Sequence, residues 1–381
     1  MEQAPFKTWE DDFPVKRRVV HFNHAGVCPL PARVAEAVAA LAADQRDYGT
    51  QHYSHWQATA ARGRQRLADL IGAADHEVAY VKNTSAGLII AAESIPWIEG
   101  DNVVVGNVEF PANIYPWLAL SRRQVETRLV AARDGYLSLD DYAAAIDDNT
   151  RAVAVSWVQF ATGQRLDLAA LAEMAHGHGA YLVVDAIQGL GALEISAGGL
   201  EVDFLAADGH KWLLSVEGCG VLYVSDRIIG DLEPFWVGWT SVCNAMDFLD
   251  YCPELLPDAR RFEEGTLNML GAHALDAAAG LLLEVGPARI ERRIIELTDR
   301  FIEGLRALEC EVVSPVTPQE RSGIVCFRHA AAPSGEIVAG LGERGIEAAD
   351  RLQSVRLSPH FYNDEDEVDR CLAAVGEIIG R

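Results

Sequence analysis

The stretch AYLVVDAIQGLG at residues 180–191, followed by VDFLAADGHKWL at residues 202–213, decides how this chain folds. Both hold an apolar run without polar alternation, as expected of strands covered on both faces of a sheet. The first run stops at Asp185, and the second runs out at Asp208 with His210 and Lys211 close behind. In a parallel sheet, ligands gather beyond the carboxyl ends of the strands, so these residues are the first candidates for chemistry. Buried Asp and Lys are costly unless paired or functional. A desolvated lysine also loses basicity, which is what an amine that forms a Schiff base requires. Either residue alone fits a structural salt bridge, but the joint pattern is far more specific.

Working outward, residues 76–225 alternate short β-rich runs with helical stretches: EVAYV, a helix from Ser85, DNVVVG, a helix near Tyr115, RAVAVSWV, the helix LAALAEMAHGHG, AYLVVDA, DFLAAD and GVLYV. That order predicts parallel strands joined by helical crossovers. Residues 232–261 are irregular and aromatic, and a helix-rich region containing GAHALDAAAGLLLEVG follows. From Cys310 a second small αβ unit is expected, with strands at ECEVVSP, GIVCFRH and SVRLSP, a helix over 335–344 and a closing helix from Glu365. The N-terminal segment joins it, being too short to build a core alone.

Composition narrows the partners. The 381 residues carry 32 basic and 56 acidic side chains, a formal charge of −24, so the surface should repel nucleic acid. With 50% hydrophobic and 23% charged residues the chain is globular. The start, MEQAPFKTWEDDFP, is acidic where a signal peptide is basic, and no stretch approaches the roughly 18 apolar residues of a membrane span. The expectation is a soluble, cytoplasmic protein with no membrane partner. Its seven cysteines include no CxxC pair and read as reduced thiols. His176 and His178 close a helix without a ligand cluster, and Gly218 and Gly220 lead into a strand rather than out of one. Metal, NAD and serine-hydrolase readings are set aside, and no metal is expected.

Nearly the whole chain, from FNHAGVCPLP to SVRLSPHFYNDEDEVDR, resembles the class V aminotransferase family of fold-type I pyridoxal-phosphate (PLP) enzymes, which includes cysteine desulfurases, selenocysteine lyases, C–S lyases and isopenicillin N epimerase. The resemblance implies an α/β fold: a mostly parallel, seven-stranded-type sheet flanked by helices in a large PLP-binding domain (26–270), plus a small α+β domain (1–25 and 271–381). It implies pyridoxal 5'-phosphate held covalently by Lys211, with Asp185 at the pyridine nitrogen and Gln188 at the phenolic oxygen. Thr84 and Ser85 in VKNTSAG, with Asp208 and His210, would hold the phosphate at a helix start. Phe110 in NVEFPANIYPW would stack on the ring, where relatives often have His. Arg356 would grip the substrate carboxylate, with Ala25 beside the substrate. Thr266 in RFEEGTLN would reach the phosphate across a homodimer.

The chain also departs from that pattern. RGIEAADRLQ, which matches the loop carrying the persulfide-forming Cys of desulfurases, has no Cys, and Cys326 in GIVCF reads as a small buried hydrophobe. In SWVQFATG, Phe160 stands where many relatives have a cofactor Asn, and Gln159 is taken as its substitute. The expectation is a PLP enzyme acting on a small amino acid, foremost a cysteine-type C–S β-lyase. An aminotransferase or epimerase is the alternative, and a non-catalytic sensor of the same fold is the rival from another class. Sensors of this fold usually add a DNA-binding region, for which this acidic chain has no room.

Overall fold

The computed structural model describes residues 6–380. Strand β1 (Val20–His21) leads to helices α1 (Ala32–Tyr48) and α2 (Tyr53–Ile71). There follow β2 (Val78–Val81), α3 (Thr84–Ser94), β3 (Asn102–Gly106), α4 (Tyr115–Ala119), β4 (Glu126–Val130), α5 (Leu139–Ala145), β5 (Thr150–Ser156), α6 (Leu168–Gly177), β6 (Tyr181–Asp185), β7 (Phe204–Asp208) and β8 (Gly220–Val224). Helices α7 (Met269–Val285) and α8 (Pro287–Ala307) come next. The chain closes with β9 (Glu311–Val312), β10 (Val325–Arg328), α9 (Ser334–Glu343), β11 (Ile346–Glu347), β12 (Ala349–Arg351), β13 (Ser354–Leu357) and α10 (Glu365–Ile378).

Seven strands form one sheet in the order β2-β8-β7-β6-β5-β3-β4. From β7 across to β4 every pairing is parallel, whereas β8 runs antiparallel to both β7 and β2. The exception falls on GVLYV, which the alternating pattern groups with the parallel strands. No helix lies between β7 and β8, and without a crossover the chain can only turn back antiparallel. The pattern also misses β4, an edge strand whose Glu126, Thr127, Arg128 and Leu129 are exposed or half-buried and form no apolar run. In the central strands, alternate residues feed two cores: Val153, Val155, Leu182 and Val184 face one, Ala152, Ala154 and Val183 the other.

The second unit is an antiparallel sheet, β12-β13-β10-β9, whose Phe327 and Leu357 pack with Phe301 of α8, Ile337 of α9 and Val368 of α10. β1 pairs in parallel with β11, so the N-terminal segment runs into this unit. Helix α7, which the expected boundary at residue 270 gives almost entirely to the small domain, packs on α1 and α2, with Leu275, Ala279 and Leu282 in the core of the large sheet. Among the described residues no single helix is long and apolar enough to cross a membrane.

Two buried histidines weld these parts together. His24 sets Nδ1 2.8 Å from the Ser358 carbonyl and Nε2 2.8 Å from the Tyr362 hydroxyl. In His360, Nδ1 accepts from the Phe361 N–H at 2.9 Å while Nε2 donates to the Trp212 carbonyl at 3.1 Å, an arrangement only a neutral ring can make. Burial pushes His24 well below the usual range and His360 down to about 3. The unfolded chain binds the extra proton first, so this stabilisation is complete above a pH of about 6.5 and shrinks as pH falls from there toward 3. We expect the urea midpoint to fall between about pH 7 and pH 5.5, and His360→Gln to flatten that slope by up to about 1.4 kcal/mol per pH unit. An unchanged slope in the variant would remove His360 from this account.

Candidate active site

The carboxyl ends of β2, β3, β5, β6 and β7 open onto one cavity of about 320 Å³. Residues 25–27 of the N-terminal segment close one side, and Arg351 and Arg356 of the second unit close another. Asp185, at the last position of β6, is 2% exposed, and its Oδ1 accepts from the Ile187 N–H at 3.0 Å. Lys211 lies in the turn after β7, with Nζ 5.7 Å from the centre of the Phe110 ring. Loss of solvent raises the Asp185 carboxyl and lowers the Lys211 amine, and each group's charge opposes the other's shift.

The turn bearing Lys211 is fixed from several sides. The Asp208 N–H donates to Thr84 Oγ1 at 3.0 Å, and Asp208 Oδ1 accepts from the Gly209 N–H at 2.7 Å. His210 Nδ1 lies 3.0 Å from Asp208 Oδ2. Gly191 lets the loop after β6 press on this turn, since a Cβ there would come within 2.2 Å of the Trp212 carbonyl oxygen. Gln188 spans the gap, its Nε2 donating to the Ala25 carbonyl at 3.0 Å and its Oε1 accepting from Trp212 Nε1 at 3.0 Å.

At the start of α3, Asn83 is the cap, its side chain accepting from the Ala86 N–H at 2.9 Å. Thr84 and Ser85 are therefore not needed as caps, and the first-turn amides beside them can take an anionic group. Arg356 is 1% exposed. Its Nη1 donates to the Phe160 carbonyl at 2.9 Å, but Nε and Nη2 are buried without a partner. A carboxylate is the group whose shape satisfies both at once. Burial, with Arg351 nearby, pushes this guanidinium down to about 10.

Two expected site residues lie off the cavity. Gln159 turns away, donating from Nε2 to Glu109 Oε1 at 2.7 Å. Phe160 takes the wall instead, its ring 5.4 Å from that of Phe110 at 81°. Thr266 is exposed and borders a separate depression with Lys82 and Glu264, outside this chain's own cavity. Sequence reasoning passed over Glu109 and Arg351. Each had a local signal: Glu109 directly precedes Phe110, and Arg351 stands five residues before Arg356 in the same hairpin. Among the described residues no group of three or more His, Cys, Asp or Glu could hold a metal ion.

The family model of class-V aminotransferases matches residues 20–371. A probable cysteine desulfurase of Methanothermobacter thermautotrophicus is 30% identical, over 97% of this chain and 97% of its own length. Two structures of the cystine C–S lyase C-DES share the fold with a TM-score of 0.89 each. One is a mutant with glycine covalently linked to its PLP cofactor, 25% identical and covering 96% of this chain and 98% of that one. The other holds the reaction product cysteine persulfide, at 26% identity and 96% and 99% coverage. Pyridoxal phosphate is the cofactor of this group, and the residues present fit it: an enclosed amine, a buried carboxylate on the next strand and a helix start free to receive phosphate. The chain belongs to the class-V aminotransferase family and is a PLP-dependent enzyme of the cysteine-desulfurase-like type.

Proposed function

We propose that this enzyme breaks the bond between the β-carbon and the sulfur of a cysteine-type amino acid without passing the sulfur to a protein thiol. The observation that carries this reading is the turn between β12 and β13. It consists of Leu352 and Gln353, both left-handed at φ 47° and 62°, and closes a tight hairpin with no cysteine. A sulfur acceptor must be an ionised thiol on a segment that can reach the substrate, and this hairpin brings Arg351 to the cavity but no thiol. Cys326 is fully buried, its Sγ donates to the Ala161 carbonyl at 3.1 Å, and burial pushes its thiol up to about 11. The cystine C–S lyase activity named for C-DES supports the same substrate class.

Pyridoxal phosphate supplies an electron sink for charge developing at the substrate α-carbon. Asp185 would pair with the pyridine nitrogen and keep it protonated, and Gln188 would meet the phenolic oxygen. Thr84, Ser85 and His210 would hold the phosphate, while the Asp208 carboxylate, which only accepts, would orient His210 through Oδ2. Lys211 Nζ would hold the cofactor and, once freed by a bound substrate, would take the α-proton as general base. Arg356 Nε and Nη2 grip the substrate carboxylate beside Ala25, and Phe110 with Phe160 excludes water. The sulfur leaves with the bonding electrons, and water completes the conversion of the remaining carbon skeleton to pyruvate and ammonia.

The site is shared across a homodimer, with Thr266 serving the partner's phosphate. Support comes from the apolar surface around it: Trp239 and Met246 are exposed, and with Thr266 they line a groove of about 430 Å³. The seven free cysteines suit the reducing cytoplasm.

Incubation with cysteine or cystine should release pyruvate with no persulfide on any of the seven cysteines by mass spectrometry. A stable persulfide on Cys326 or exposed Cys243, with activity lost on its replacement by Ala, would restore a desulfurase. Keto acid without sulfur release would make the enzyme an aminotransferase, and racemisation alone an epimerase. Arg356→Ala should raise KM roughly 10- to 100-fold with a smaller effect on kcat, the scale of a lost charged hydrogen-bond pair. An unchanged KM would free Arg356 from the carboxylate. Mixing inactive Lys211→Ala subunits with Thr266→Ala subunits should partly restore turnover, since one half of a mixed dimer then has both residues. No rescue, with mixed dimers shown to form, would return Thr266 to its own subunit.

A further inference from the structure

Glu109 is buried in the loop three residues beyond β3, and among the described residues no Lys, Arg or His forms an ion pair with it. Its Oε1 accepts from the Ser156 N–H at 2.9 Å and from Gln159 Nε2 at 2.7 Å. Its Oε2 accepts from Asn113 Nδ2 at 3.1 Å and from the Ser156 hydroxyl. Three N–H groups and a hydroxyl converging on two oxygens fit a carboxylate, whereas an amide nitrogen there would meet Asn113 Nδ2 donor to donor, since Asn113 Oδ1 is already taken by Trp117 Nε1. Burial raises this carboxyl and the four hydrogen bonds pull against that rise.

This cradle touches both walls of the active site. Ser156 lies opposite Asp185 in the β5–β6 register, so the Glu109 charge sits beside the Asp185 carboxylate. Gln159 directly precedes Phe160 and Glu109 directly precedes Phe110, so their hydrogen bond clasps the two segments whose rings meet edge to face. Of the titratable groups around it, Asp185 belongs to the site, and the Tyr142 hydroxyl of α5 is held neutral by burial and by Glu109 itself.

We propose that Glu109 is a positioning residue for the reaction: ionised in its cradle, it fixes Phe110 against Phe160 and favours a proton on the ring nitrogen that Asp185 faces. The inference rests on the assignment of Asp185 to that nitrogen. It is tested on the PLP-loaded enzyme without substrate, by the pH midpoint of the visible band of bound cofactor and by the PLP dissociation constant. Glu109→Gln should lower the midpoint by roughly one unit, the order that one buried charge imposes on a near neighbour, and weaken PLP binding roughly tenfold. Glu109→Asp keeps the charge and should restore most of the midpoint. Gln159→Ala opens the clasp alone and should weaken PLP binding with the midpoint unmoved, so these two variants carry the test if Glu109→Gln does not fold. A wild-type midpoint in Glu109→Gln, or equal shifts in the Gln and Asp variants, would overturn the proposal. Asp185→Asn in the same titration separates the two levels: no shift there would refute the Asp185 assignment, whereas a shift there without one in Glu109→Gln would refute only the role of Glu109.

Discussion

A carboxylate and an amine withdrawn from water at the ends of neighbouring strands are the constraint on which the rest of this molecule turns. Asp185 on β6 and Lys211 after β7 each lose solvation, and neither charge would be tolerated there alone. Their positions follow from backbone register: β6 and β7 pair in parallel, so their carboxyl ends fall on one edge of the sheet. The unbroken apolar runs that bury those strands on both faces are what place their terminal polar residues in a dry cavity.

The cavity becomes a site only because distant parts of the chain close over it. Arg356 arrives on β13 and brings two buried nitrogens that no protein group satisfies. Such a group stores binding energy for a ligand, since an unmet buried donor is expensive until a carboxylate meets it. The N-terminal segment contributes Ala25, held by Gln188 and by the Ser358 hydroxyl, which bonds the Ala25 N–H at 3.0 Å. Through Trp212 and His360, the turn carrying Lys211 is tied to the same second unit that carries Arg356. Lys211 and Arg356 are thus mechanically joined, although they lie on different sheets.

Residues at the ends of strongly apolar strands were legible in the sequence, because burial and strand direction together leave few places for them to point. Asp185, Asp208 and Lys211 are of this kind. Gln159 was not, since its direction depends on an acceptor fifty positions earlier, and Glu109 draws the amide away while Phe160 takes the wall. The edge strand β4 and the antiparallel β8 were obscured for the same reason: one has no apolar run, and the other's direction is set by a missing crossover that strand composition does not record. For Thr266 the resemblance gave an expectation that a single chain can place only on its own surface.

Lys211 is the amine proposed to hold the cofactor, and the chain's few lysines make this directly measurable. It has four lysines: Lys7, Lys16, Lys82 and Lys211. Lys16 pairs with Asp364 and Lys82 with Glu264, both away from the cavity. Borohydride reduction of the purified yellow protein, followed by peptide mass mapping, should find the phosphopyridoxyl mass on the peptide containing Lys211 and on no other. The same mass on Lys7, Lys16 or Lys82 instead, or a coloured protein in which Lys211 remains unmodified, would contradict it.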